Sequence, residues 1–288
     1  MDIFAIQLVN GLSYGFLLFI ITCGLSLTFG IMGVLNLAHG SLYMVGAYLA
    51  LTVTRDIAPS FWAALVIAPI LVALFSLIIE FVLLRPTYRL GHLSQVLMTF
   101  GLAYIIHDVV RMIWGASIQS LNMPPELSGS VELFGQVFPV YRLAVVGFGL
   151  AVAIVLWLLQ EKTRWGAIIR AGLTNKEMVS GLGINIKLVF SVVFAIGGLL
   201  AGIGGVAAGP VLGLYPSMEF EVLILALVIL VVGGLGSIAG TLLASLLVGV
   251  LDTFGRVMFP EISLIIIFGI MAVVLIVKPT GLLGKQVH

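Results

Sequence analysis

Charge is scarce in this sequence. Only 9% of its 288 residues are Asp, Glu, Lys or Arg, whereas a soluble domain carries roughly 25%. Too few charges remain to coat a water-facing surface. A net charge of +1 provides no long-range field to recruit nucleic acid. The single cysteine, Cys23, excludes an intrachain disulfide and has no metal-ligand spacing around it. Four scattered histidines, His39, His92, His107 and His288, form no HExxH or equivalent. This counts against a membrane-embedded enzyme, which would need a clustered acid, base or metal site. No Walker A motif is present: Gly284-Lys285 runs into Gln286 and lacks the upstream glycine. If ATP drives any process here, the ATPase is another polypeptide. No chain of midplane carboxylates and no Arg-rich sensor appears, which counts against a stand-alone secondary carrier. The opening MDIFAIQLVN has no basic stretch before its apolar run, so the first segment is expected to stay in the mature protein. No cofactor is implied.

What the sequence does have is hydrocarbon. Hydrophobic residues make up 61% of the chain and the mean hydropathy is +1.28. Nine apolar segments can be marked, at 4–29, 31–53, 61–84, 95–114, 139–160, 187–209, 220–235, 238–257 and 261–277. Most have the roughly 20 residues that cross ~30 Å of hydrocarbon. Backbone groups in lipid must pair internally, so these are helices, and nothing alternates as a transmembrane barrel would. The expected fold is all-α: a polytopic integral membrane helical bundle of about eight or nine transmembrane segments. The uncharged turns near 29–32 and 235–238 suit one or two broken or re-entrant helices. No second soluble domain or linker appears, so residues 1–288 read as one membrane unit.

Lys and Arg give a sidedness. Arg85 and Arg89, then Lys162, Arg164, Arg170, Lys176 and Lys187, then Lys278 and Lys285, hold nine of the 13 basic residues. Placing those three regions in the cytoplasm leaves nine of the 12 acids on the other side. The C-terminus and the 161–186 loop are then cytoplasmic and, with nine crossings, the N-terminus is outside. Residues 115–138, acidic and rich in Pro, Ser and Gly, form an external loop.

One apolar stretch, GIMGVLNLAHGSLYMVGA at 30–47, carries polar groups in its middle. Asn36, His39 and Tyr43 recur at helical spacing, with Ser41 between them. An amide or imidazole buried without a partner costs several kcal/mol, so these groups should face protein or water. Three readings are open: the lining of a translocation path, interhelical glue, and a pH switch through His39. Gly11–Gly15, Gly198–Gly202, Gly205–Gly209 and Gly236–Gly240 have the spacing of close helix contacts. Asp252 and Arg256, four apart, read as a local interfacial pair. Glu219 and Glu221 open a helix, where acids suit the dipole.

The 161–186 segment, EKTRWGAIIRAGLTNKEMVSGLGINI, has helical apolar spacing and mixed charge. Thr174 with Glu177 has capping-box spacing. A short amphipathic helix here either rests on the bilayer interface or inserts into a groove on a cytosolic partner.

Glu177-Met178-Val179, then Gly183, resembles the EAA-xxx-G cytoplasmic motif of ABC importer permeases, with Met178 and Val179 in place of two alanines. The whole chain resembles the LivH-type permease of branched-chain amino acid ABC importers. The stretches that carry this are GLSLTFGIMGVLNLAHGSLYMVGAY (24–48), GAIIRAGLTNKEMVSGLGINI (166–186), GPVLGLYPSMEFE (209–221), VVGGLGSIAGTLL (231–243) and KPTGLLG (278–284). The resemblance implies a bacterial inner-membrane permease working by alternating access. It implies a second LivM-like permease, two cytosolic ATP-binding subunits docked on the EAA-like loop, and an external or periplasmic solute-binding protein. The implied solutes are leucine, isoleucine and valine, although the wider family also carries other amino acids, amides or urea. The expected path residues are Asn36, His39, Ser41 and Tyr43. The expected ATPase-coupling residues are Arg170, Asn175, Lys176, Glu177 and Gly183.

Overall fold

The computed structural model describes residues 2–284 except Arg89, Phe134 and Asn175; the side chains at positions 2, 3, 133 and 173–177 also lie outside the described set. In chain order the helices are α1 (Asp2–Met32), α2 (His39–Thr52), α3 (Phe61–Ile79), α4 (Arg85–Thr87), α5 (His92–Trp114), α6 (Val140–Lys162), α7 (Arg164–Thr174), α8 (Lys176–Gly181), α9 (Ile186–Leu212), α10 (Met218–Gly233), α11 (Ile238–Met258) and α12 (Ser263–Val277). A hairpin of β1 (Ser130–Leu133) and β2 (Gln136–Pro139) sits between α5 and α6. Two π-helical turns, Val53–Ile57 and Glu80–Leu84, prolong α2 and α3.

Among the described residues, seven helical stretches are long and apolar enough to cross a bilayer. The expected segments at 31–53 and 220–235 become the two shorter helices, α2 of 14 residues and α10 of 16. Each follows an irregular stretch that takes up part of the span. The turn at 235–238 is a plain connection: Ser237 caps α11 by accepting a 3.1 Å bond from the Gly240 N–H.

Contacts between element ends define two faces. On one, the rings of Phe4 and Phe254 stack 4.8 Å apart, Phe61 meets Tyr141, and Arg55 Nη2 donates to Gln119 Oε1 at 2.9 Å. Gln119 in turn pairs with Leu214. We call this the hairpin face. On the other, the helical turn after α3 is tied to the start of α9, and Gly172 of α7 lies beside Ile31 and Ile186. The tail residues Leu282 and Leu283 donate their N–H groups to Val232 and Gly233, satisfying the last carbonyls of α10. That gives the KPTGLLG stretch a structural duty.

The core is α1. It is apolar all round, and such a helix belongs inside a bundle; residues 16–27 are buried throughout. Close approach needs glycine. A Cβ at Gly11 or Gly15 would meet the α11 backbone at Val250 or Leu246, and one at Gly202 would meet Pro69 of α3. By contrast α12 buries only Ile267 and leaves apolar side chains around it exposed, which hydrocarbon tolerates.

In the 161–186 segment, helix α7 begins at Arg164, where Thr163 Oγ1 accepts from the Gly166 N–H at 3.1 Å, and it runs through Thr174. Thr163 is therefore the cap of α7. The side chains of Thr174 and Glu177, on which the capping-box expectation falls, lie outside the described set.

Candidate translocation site

Helix α1 stops at Met32 because Gly33 turns left-handed, with φ +70°, and its N–H caps the Phe29 carbonyl at 2.8 Å. The chain then runs irregularly through 34–38. Backbone polar groups at membrane depth need partners, and α5 supplies them. Thr99 Oγ1 accepts from the Leu37 N–H at 3.2 Å and lies 3.5 Å from the Leu35 carbonyl. Asn36 Oδ1 accepts from the Ala38 N–H at 3.1 Å, holding the turn into α2. Asn36 thus precedes the helix, and the expectation that Asn36, His39 and Tyr43 share one helical face is corrected: the asparagine makes the bend that ends the periodicity.

His39 opens α2 and is buried. Its Nε2 lies 2.8 Å from the Ile21 carbonyl. A carbonyl only accepts, so Nε2 carries the proton, and Nδ1 is left as a buried acceptor without a partner. Gly24 makes room for the ring. Ile21 precedes the end of α1 by eleven residues, about 16 Å of helix, so α2 starts well inside the span. Ser41 Oγ lies 3.5 Å from the Ala103 carbonyl of α5. Tyr43 is buried, with the Gly205 backbone against its carbonyl.

A second interruption meets the first. Helix α9 ends at Gly213, φ +74°, and α10 starts after Ser217, which at φ +88° is left-handed without being glycine. Such a conformation costs roughly 1–2 kcal/mol and tends to persist at functional sites. A Cβ on Gly40 would collide with the Glu219 carbonyl, so the first turns of α2 and α10 touch backbone to backbone.

Here the structure joins residues that sequence spacing could not. His107 Nδ1 lies 2.5 Å from Glu219 Oε1, across 112 positions. Glu219 is 1% exposed, and its Oε2 has no hydrogen-bond partner. The carboxylate can only accept when ionised, so Nδ1 donates. His107 precedes the end of α5 by seven residues, about 10 Å of helix, which places the pair below the hairpin face. Tyr104 and Phe220 stack beside it at 5.2 Å. Nearer the surface, Tyr215 donates to Glu221 Oε2 at 2.7 Å. Partial burial, then that bond, pushes the Tyr215 hydroxyl up to about 12, so it remains a neutral donor at physiological pH.

A third polar cluster was passed over in the sequence. Glu80 is 0% exposed. It accepts from Arg85 Nε at 3.3 Å and Nη2 at 3.1 Å, from Tyr88 at 2.8 Å, and from Ser191 Oγ at 2.8 Å. The cluster ties the turns after α3 to the start of α9. The available signal was a lone acid ending an apolar run five residues before an arginine; an ionisable group inside such a run is a site by default.

The expected coupling residues lie at the opposite face. Arg170 Nη1 is 3.6 Å from Glu161 Oε2. Asn175 lies outside the described residues, as do the side chains of Lys176 and Glu177, whose backbone opens α8. Gly183 ends that turn at φ +81°, a conformation that glycine adopts freely. Trp165, Met178 and Leu182 are exposed, and Val179 is buried. Helix α7 lies between the two sets of residues: a Cβ on Gly172 would sit 4.0 Å from Ile31, just before the α1 break.

Curated relatives match almost end to end. The high-affinity branched-chain amino acid transport system permease protein BraD of Pseudomonas aeruginosa is 31% identical over 97% of this chain and 95% of its own length. LivH of Salmonella typhimurium, named for the same transport system, is 27% identical over 97% of this chain and 95% of its own. LivM of Escherichia coli is 26% identical over 92% of this chain and 67% of its own. The family described as "Branched-chain amino acid transport system / permease component" matches residues 7–275, a range holding both helix interruptions, the Glu80 cluster and α7–α8. The chain belongs to that permease family.

Proposed function

We propose that this chain is the transmembrane permease subunit of an ATP-driven importer. It moves leucine, isoleucine and valine into the bacterial cytoplasm by alternating access. The observation that carries the reading is the family match over residues 7–275, which takes in every element that a moving permease needs. Hydrolysis of ATP falls to two cytosolic subunits. A second, LivM-like permease completes the membrane part, and an external or periplasmic solute-binding protein delivers the solute. The whole chain, 1–288, acts as one permease domain.

The Lys and Arg distribution supports an inner membrane orientation with 161–186 and the C-terminus in the cytoplasm. Residues 115–138 are then an external loop. Asn36, His39, Ser41 and Tyr43 line part of the path. In the present arrangement Asn36 holds the Ala38 N–H within the bend, while His39 and Ser41 bond to backbone of α1 and α5. A path opens there when those bonds are exchanged for water or solute, which requires α2 to shift against α1. Coupling falls to Arg170, Asn175, Lys176, Glu177 and Gly183, on two short helices whose exposed apolar side suits a groove on an ATPase. Motion of α7 reaches the α1 break through Gly172 and Ile31.

The test is purification of the native complex with its neighbours, followed by reconstitution in liposomes. Expected are co-purified ATPase subunits and leucine uptake that needs both ATP and the binding protein. Uptake by the isolated chain, driven by an ion gradient, would refute the reading.

A further inference from the structure

A cavity of about 360 Å³ lies between α1, α6, α9 and α11, and none of the expected site residues lines it. All four helix ends that form it belong to the hairpin face: the start of α1, the start of α6, and the ends of α9 and α11. Its volume sits at the small end of ligand sites, roughly 300–1,000 Å³, large enough for a free amino acid and too small for a folded segment.

The lining is chemically divided. Arg142 and Arg256 bring two guanidinium groups. Arg142 donates Nη1 to Asn10, and Arg256 donates Nε to Asp252 Oδ2 at 2.7 Å. Among the described contacts, the remaining N–H groups of both have no protein acceptor. Asp252 is 2% exposed, and only one of its carboxylate oxygens is engaged. The Tyr14 hydroxyl, also in the wall, makes no hydrogen bond among the described residues. The wall also has an apolar part, with Leu17, Val211 and Leu212. Free guanidinium donors match a carboxylate. A buried carboxylate oxygen beside a phenol matches an ammonium group. The aliphatic wall matches a hydrocarbon side chain.

We infer that this cavity is a receiving site for a free zwitterionic aliphatic amino acid: Arg142 and Arg256 take the α-carboxylate, Asp252 and Tyr14 the α-ammonium, and Leu17, Val211 and Leu212 the side chain. The inference rests on the proposed function for its ligand class and on the proposed orientation for its direction. The site accepts solute released at the external face before the α1–α2–α5 joint opens. The Arg256 side chain is 63% exposed, so water still reaches the site, binding is weak and release inward is not hindered.

The experiment uses the reconstituted complex carrying Leu212→Cys. Leu212 is 39% exposed on the cavity wall, and the native Cys23 is wholly buried, so polar maleimide incorporated into this chain, separated from its partners by gel electrophoresis, reports on the cavity. Millimolar leucine is expected to slow labelling at least tenfold. Isovalerate, which lacks the ammonium, and isopentylamine, which lacks the carboxylate, should each protect at least tenfold less well. In the parent complex, Arg142→Gln and Asp252→Asn should raise the KM for leucine uptake at least tenfold with kcat within threefold. Labelling that leucine does not slow, or that isovalerate slows equally, overturns the zwitterion site even if ATP-dependent leucine uptake is intact. Absence of leucine uptake by the parent complex overturns the proposed function, and the ligand class assigned to the cavity with it.

Discussion

Replacing Glu80 by Ala tests whether the buried cluster after α3 holds two parts of the bundle together. In the folded chain Glu80 accepts four hydrogen bonds from three side chains, Arg85, Tyr88 and Ser191. Ala takes the acceptor from Tyr88 and the carboxylate from Arg85, while Arg85 keeps Ser191 Oγ at 2.7 Å and Ser191 keeps the Lys187 carbonyl at 3.0 Å. Removing one partner of a fully buried ion pair costs about 3–5 kcal/mol. The Arg85 side chain is 29% exposed, so water recovers part of its solvation and the lower end, about 3 kcal/mol, is expected. At roughly 2 °C per kcal/mol for a chain of this size, the detergent-solubilised complex should melt about 6 °C lower, read by intrinsic tryptophan fluorescence. Glu80→Gln keeps the shape and loses the charge assistance, so its effect should be smaller, about 2 kcal/mol. Ser191→Ala should cost about 1 kcal/mol alone. Its effect should shrink when Glu80 is already Ala, because both changes remove the same bond. A non-additivity near 1 kcal/mol is expected from residues in direct contact. A Glu80→Ala melting point within 1 °C of the parent, or strict additivity with Ser191→Ala, would refute the idea that this cluster fastens α9 to α3.

Other expectations concern the two helix starts and the coupling helices. Gly40→Leu places side chain where the Glu219 carbonyl stands; overpacking of this kind costs about 1–3 kcal/mol, and uptake should fall more than tenfold in complexes that still assemble. Asn36→Leu and His39→Leu should slow leucine uptake without loss of the assembled complex on size-exclusion chromatography; unchanged uptake would leave these residues as interhelical joints only. Glu177→Lys should keep ATP hydrolysis while abolishing uptake, and normal uptake would rule out a coupling role. Gly183→Pro should do the same, since proline cannot take φ +81°, whereas Gly183→Ala, strained by about 1 kcal/mol, should retain part of the coupling.

Hydropathy is a local property that sums along the chain, so the sequence alone marked the apolar segments, although two of them, at 31–53 and 220–235, became shorter helices after irregular stretches. The helix type followed because lipid offers the backbone no other partner. The quoted stretches were enough to reach the family, because family membership is written in residue order. A break near the end of α1 was legible too, since the turn expected at 29–32 carries no charge, but its exact place at Gly33 and the bend at Asn36 came from the fold. The capping of α7 at Thr163 was harder, because only its hydrogen bond with the Gly166 N–H picks it out. Tertiary structure decided the rest. His107 finds Glu219 across 112 positions and Glu80 finds Ser191 across 111. No periodicity encodes those meetings: in hydrocarbon all apolar helix faces look alike to one another. Neighbours are chosen by glycine-sized contacts such as Gly15 against Leu246 and Gly40 against Glu219. Only once those backbones had settled together could four helix ends enclose a cavity whose arginines, aspartate and leucines lie as far apart in sequence as Leu17 and Arg256.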